Sequence, residues 1–224
     1  EDYKNYLRRE ITRDELYAMV PETVLNSVIN ETMSEEGMPA LFDRIDQLMA
    51  MQGIENIDVL VGGPPCQAYS LVGRARSKTN MVGDPRNYLY MLYCEVLEKY
   101  RPKIFVFENV PGLLTANGGS YFDDMRERFR KAGYFLEHRI LNSKEYGVLQ
   151  NRRRVIVIGW REGTDFTYPE LDKKEQKYLV DDLFSDLPYI EPGESRNIYK
   201  CKSTEYLRES GIRTEDDILT LHQA

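Results

Sequence analysis

From Ile57 onward, short and solidly apolar runs alternate with longer stretches whose apolar residues recur every three or four positions. "IDVLV" is followed by "NYLYMLYCEVLEKY", "KIFVFENV" by "YFDDMRERFRKAG", and "YFLEHRIL" and "RVIVIGW" come later. A run that is apolar at successive positions reads as a strand covered on both faces, and the periodic stretches read as helices packed across it. That alternation predicts an α/β protein with a mostly parallel, doubly wound sheet. Parallel strands joined by a helical crossover finish at one edge of the sheet, and ligands bind beyond those carboxyl ends.

The regions flanking this core read differently. Residues 1–56 read as helical and carry no obvious chemistry. Thr12 and Glu15 in "TRDELYAMV" have the spacing of a capping box. Pro21 fits the first turn of a helix over "PETVLNSVINETM". Leu41, Ile45 and Leu48 of "PALFDRIDQLMAM" share one helical face, which stops near Gly53. The α/β core occupies residues 57–163. Over 164–224 the strand signal fades into proline-bearing loops around one short helix, "LVDDLFSDL".

Composition excludes some classes of function. At 224 residues and 42% hydrophobic, the chain can bury an ordinary core. No run of some eighteen apolar residues is present to span a membrane. "EDYKNYLRRE" lacks the apolar stretch of a signal peptide. Cys66, Cys94 and Cys201 are odd in number and widely spaced, with neither a disulfide framework nor a metal pattern, as befits a reducing cytoplasm. A formal charge of −7 argues against a dedicated nucleic-acid binder, so any such contact must come from local basic clusters.

The chemistry gathers where strands end. In "GGPPCQAYS", Cys66 sits just past the first apolar run rather than inside it, where a structural cysteine belongs. Gly62 and Gly63 permit close approach by another molecule, and Pro64 and Pro65 fix φ ahead of the thiol. Glu108 and Asn109 close the second strand, so the topology makes a thiol and a carboxyl group neighbours at one cleft. "QNRRR" before "VIVIG" suits either a solvated turn or that same cleft; it reaches the cleft if its strand runs antiparallel to the first two. The stretch "AYSLVGRARSKTNMVGDPRN" is long for a connector, and such loops are often lids or binding loops. It sets Arg74, Arg76, Lys78 and Arg86 against one acid, Asp84, which points to a phosphate-bearing partner.

"GGPPCQAYS", "ENVPG" and "QNRRR", in this order and spacing over residues 57–160, resemble three signature motifs of the DNA (cytosine-5) methyltransferases, and "DPRNYLY" is similar to the family's helix-opening segment. The resemblance implies a fold of the S-adenosylmethionine-dependent methyltransferase type, that compound as methyl donor, and a cytosine flipped from double-stranded DNA. It implies that Cys66 attacks C6 of the ring, that Glu108 holds or donates a proton at N3, and that Arg154 binds the base near O2 with Arg152 in support. Asn109 would orient the loop carrying Glu108. Gln67 and Ser70 match positions near the DNA strand, and Arg74, Arg76 and Lys78 lie on the loop that closes over it. Pro65, Leu89 and Asp43, with Asp46 as a rival, match cofactor contacts.

The chain also departs from the family pattern. No strand with a glycine-rich cofactor loop precedes residue 57, and neither the target-recognition domain nor the closing asparagine motif is found. Residues 1–56 then read as an insertion, residues 164–224 as a connector toward target recognition, and the chain as a piece of a longer enzyme, incomplete at both ends and inactive alone. With the resemblance goes the expectation of a monomeric cytoplasmic enzyme with a companion restriction nuclease. A catalytically incomplete DNA- or partner-binding module and an RNA cytosine methyltransferase are the alternatives. A cysteine hydrolase needs a histidine base, and His138 and His222 lie in no motif setting.

Overall fold

The computed structural model of the chain describes residues 1–65, 88–175, 178–194 and 204–211. Among these residues four strands form one sheet in the order β1 (Val59–Gly62), β2 (Ile104–Asn109), β4 (Arg153–Arg161), β3 (Tyr134–Asn142). β1 and β2 are parallel, with Val59 opposite Ile104 and Gly62 opposite Phe107. Helix α5 (Leu89–Tyr100) lies between them in the chain, as a parallel connection requires. β4 is reversed: the Arg161 N–H at its end donates at 2.9 Å to the carbonyl of Lys103, just before β2 begins. Bonds of 3.0 Å from Glu162 N–H to Gly133 C=O and from Ser143 N–H to Arg152 C=O close the two ends of an antiparallel β3–β4 pair. The link 143–152 is too short for a parallel crossover. The α/β class read from the sequence holds, and within it the sheet is mixed.

The chain forms two compact units, residues 1–137 with 157–166 and residues 138–156 with 167–224. In the first, the period of two along β2 turns Phe105, Phe107 and Asn109 to a fully buried face and Ile104, Val106 and Glu108 to the other. Phe105 and Phe107 pack with Tyr93 and with Phe129 of α6 (Ser120–Lys131), ring centroids 5.0–6.1 Å apart and mostly edge to face. Asp124 ties α6 to α5, accepting from the Tyr90 hydroxyl at 2.5 Å and the Arg128 guanidinium at 2.7 Å. Helix α4 (Met38–Gln52) buries Met38 against Leu92 and Val96 of α5 and stops at Gly53, whose φ of 65° suits glycine.

Ahead of α4, α1 (Asp2–Leu7), α2 (Arg13–Ala18) and α3 (Glu22–Leu25) bury no residue. The capping box is present: Thr12 N–H donates to Glu15 Oε2 at 2.8 Å and Glu15 N–H to Thr12 Oγ1 at 3.2 Å. The helix expected over "PETVLNSVINETM" shrinks to the four residues of α3. It has no buried face to stabilise a longer helix, and the Ser27 hydroxyl donates to the Val24 carbonyl at 2.7 Å, competing with the helical ladder. "IDVLV" also differs from expectation, since Val59 and Val61 are 50% and 70% exposed. β1 is an edge strand, α4 and α5 cover only its Leu60 and Gly62 side, and nothing among the described residues covers the other.

In the second unit, α7 (Val180–Phe184) accounts for part of "LVDDLFSDL". Helix α8 (Glu205–Glu209) buries Leu207 and packs Tyr206 against Tyr178, the rings tilted by 44° with centroids 4.5 Å apart. Among the described residues no helix is long and apolar enough to cross a membrane.

Candidate functional site

Three consecutive residues leaving β1 each meet a specific neighbour. At Gly62 a Cβ would stand 2.7 Å from the Tyr93 ring, and at Gly63 it would stand 3.1 Å from Glu108 Oε2. The Pro64 carbonyl accepts from Asn109 Nδ2 at 3.3 Å, while Asn109 Oδ1 accepts from the Val110 N–H at 2.9 Å. Asn109 is completely buried with both ends of its amide bonded, so it ties the segment after β1 to the end of β2. The alternation of β2 explains how adjacent residues divide the work. Asn109 points with Phe107 into the core, while Glu108 turns its half-buried carboxyl toward Gly63.

The structure thus brings Glu108 and Asn109 to the segment that carries the cysteine motif, as the parallel topology predicts. Pro65 is exposed two residues beyond Gly63, and Leu89 opens α5, partly buried beside Leu92, Val96 and Met38. Asp43 and Asp46 are both exposed on α4. Asp43, with Glu31, Arg44 and Gln47, lines a groove of about 400 Å³. Asp46 instead accepts from Lys99 and from the Tyr100 hydroxyl, each at 2.8 Å, and these bonds hold its carboxyl below the usual carboxylate range. Cys66, Gln67, Ser70, Arg74, Arg76 and Lys78 lie outside the described residues.

The arginines belong to the second unit. Arg152 is exposed; its N–H donates to Gln150 C=O at 3.1 Å and its carbonyl accepts from Ser143 N–H. Arg154 is half-buried on β4, and its guanidinium donates to the Arg153 carbonyl at 2.8 Å. His138 is exposed on β3. Cys94 is a core residue of α5, where burial pushes the thiol up to about 12 and leaves it no useful thiolate population.

The sequence reading missed Tyr93. Burial raises its phenol well above the ordinary range, so the hydroxyl remains a donor. It reaches the Val106 carbonyl at 3.1 Å and the Leu60 carbonyl at 3.3 Å, one from each parallel strand. A tyrosine within an apolar helical stripe gives no sign of that in sequence.

Residues 40–222 match the family described as C-5 cytosine-specific DNA methylase. The type II methyltransferase M.Bpa9945I of Bacillus paralicheniformis is 36% identical over 64% of this chain and 35% of its own length. The type II methyltransferase M.BspRI of Lysinibacillus sphaericus is 33% identical over 86% of this chain and 45% of its own. The chain therefore spans less than half the length of these relatives. Among solved structures, that of an E. coli protein described as a DNA modification methyltransferase encoded within a prophage matches with a TM-score of 0.50. It is 19% identical and covers 74% of this chain and 52% of that one, a likeness of fold. Matched over most of its residues, the chain belongs to the C-5 cytosine-specific DNA methylase family.

Proposed function

We propose that this chain carries the catalytic cysteine and its acid in a cytosine-5 methyltransferase that acts on double-stranded DNA in a type II modification system. The observation that carries the reading is the Glu108 carboxyl lying 3.1 Å from where a Gly63 Cβ would be, three residues ahead of Cys66. Cytosine C5 is a poor nucleophile until a thiolate adds at C6. Cys66 makes that bond as the thiolate, and Glu108 delivers a proton at N3, which neutralises the charge arriving on the ring. Once C5 is methylated, N3 returns its proton to Glu108, a base takes the C5 proton, and the C6–S bond breaks to release Cys66 as the thiolate. Arg154 grips the base near O2 and Arg152 supports it. Asn109 keeps Glu108 in register with the cysteine segment, and Gln67, Ser70, Arg74, Arg76 and Lys78 hold the DNA. The enzyme works as a monomer in the cytoplasm beside a companion nuclease.

Residues that would hold S-adenosylmethionine fit it in part. Pro65 is exposed, and Leu89 opens a helix that starts at the same sheet edge where β1 and β2 end, so both offer apolar surface to an adenine ring there. Asp43 would offer a carboxylate to a hydroxyl, but the groove that it lines with Glu31, Arg44 and Gln47 includes neither Pro65 nor Leu89. When bound, the cofactor supplies the methyl group to C5.

Methyl transfer to cytosine in duplex DNA, measured in the full-length enzyme with a labelled donor, tests the reading. Cys66→Ser abolishes transfer, and Cys94→Ser leaves it nearly intact per folded molecule. Persistent transfer without Cys66 contradicts the assignment.

A further inference from the structure

We infer that Tyr93 is a positioning residue for the reaction, setting the height at which the cysteine-bearing segment leaves the sheet; the inference rests on Cys66 being the nucleophile. Tyr93 is 4% exposed, on the buried face of α5. Its ring is held by Phe105 and Phe107 of β2 and by Phe129 of α6, with centroids 5.2–6.0 Å away. Its single hydroxyl proton is shared between the Val106 and Leu60 carbonyls, so it grips both strands at once. The ring edge is also the floor on which Gly62 rests, where a Cβ would meet Cε2 at 2.7 Å and Cδ2 at 3.3 Å.

These contacts form a chain of constraints. Tyr93 fixes Gly62, Glu108 bounds Gly63, and Asn109 holds the Pro64 carbonyl. Pro65 then limits φ immediately before Cys66. A nucleophile attacks efficiently only from within a narrow range of distance and angle, and a displacement of about 1 Å can cost about a hundredfold in rate. Of the three contacts, the one at Gly62 comes first along the chain. A shift at Gly62 therefore moves everything after it, whereas a change at Asn109 acts further along.

The test uses the full-length enzyme, S-adenosylmethionine and duplex DNA with 5-fluorocytosine at the target; after methyl transfer the C5 fluorine cannot leave as the C5 proton does, so the reaction stops at the covalent adduct. Adduct formation is timed in single turnover, beside DNA affinity and melting temperature, for Tyr93→Phe, Gly62→Ala and Gly62→Ala combined with Tyr93→Leu. Tyr93→Phe keeps the ring and loses the grip on the two carbonyls; its adduct rate per folded molecule falls by about tenfold while DNA affinity is unchanged. Gly62→Ala slows the reaction further, and shortening residue 93 restores part of the rate, because the inserted methyl then has room. Should Gly62→Ala fail to fold, Tyr93→Phe alone decides. Variants that melt earlier but react at the wild-type rate per folded molecule overturn the inference and leave the cysteine assignment intact. A wild-type enzyme that forms no adduct, or a Cys66→Ser variant that still forms one, overturns the underlying reading and the inference with it.

Discussion

A Cβ at Gly159 would lie 2.0 Å from the ring of Phe105, and that ring has nowhere to go because it is fully buried against Tyr93, Phe129 and Tyr134. β4 crosses the core here at a distance only hydrogen permits. Gly159→Ala is therefore expected to destabilise the protein by about 3 kcal/mol or more, at the upper end of overpacking costs, as a shift in denaturation midpoint. A change below about 0.5 kcal/mol, typical of a surface site, would mean that β4 moves freely at this point. Glu108 and Asn109 were legible because each occupies a motif position at a strand end. Gly159 and Tyr93 were not, since their importance depends on which ring from another element lies opposite, and no local pattern encodes that.

Among elements, Asp124 adds a hydrogen-bonded tie to the aromatic packing between α5 and α6. Burial pushes Asp124 upward, but the hydrogen bonds from Tyr90 and Arg128 outweigh it and hold the carboxyl below its ordinary value of 3.8. A group depressed in the folded state stabilises fully above its unfolded value, and the benefit is lost as pH falls through the folded one. Wild type and Asp124→Asn should accordingly differ most in melting temperature above about pH 4 and converge in more acidic buffer. A constant difference across that window would deny the carboxylate its role. The long helices α4, α5 and α6 were readable from periodicity because each buries a stripe against a neighbour. "PETVLNSVINETM" carried helical signals without a surface to bury them on. β1 looked doubly covered because its composition is apolar on both faces, whereas cover depends on neighbours that strand composition does not specify.

At the scale of the whole chain, its 224 residues carry a net charge of −7, so on the proposed function their attraction to DNA has to come from local basic clusters. Replacing Arg74, Arg76 and Lys78 together should weaken binding about equally for all DNA sequences. It should also flatten the dependence of log K on log salt by about one unit for each phosphate that is no longer neutralised. An unchanged slope would mean that these three residues meet no phosphate. The α/β class was legible from alternation alone, and a reversed strand after "QNRRR" was an open alternative; the order that sets β4 beside β2 was not legible, because no local pattern says which strands become neighbours. The central claim, that Cys66 is the nucleophile of a cytosine-5 methyltransferase, is met most directly by peptide mapping. The full-length enzyme is incubated with S-adenosylmethionine and duplex DNA containing 5-fluorocytosine, digested, and the cross-linked peptide sequenced by mass spectrometry. The account predicts one adduct, on Cys66; a cross-link on Cys94 or Cys201, or none at all, contradicts it.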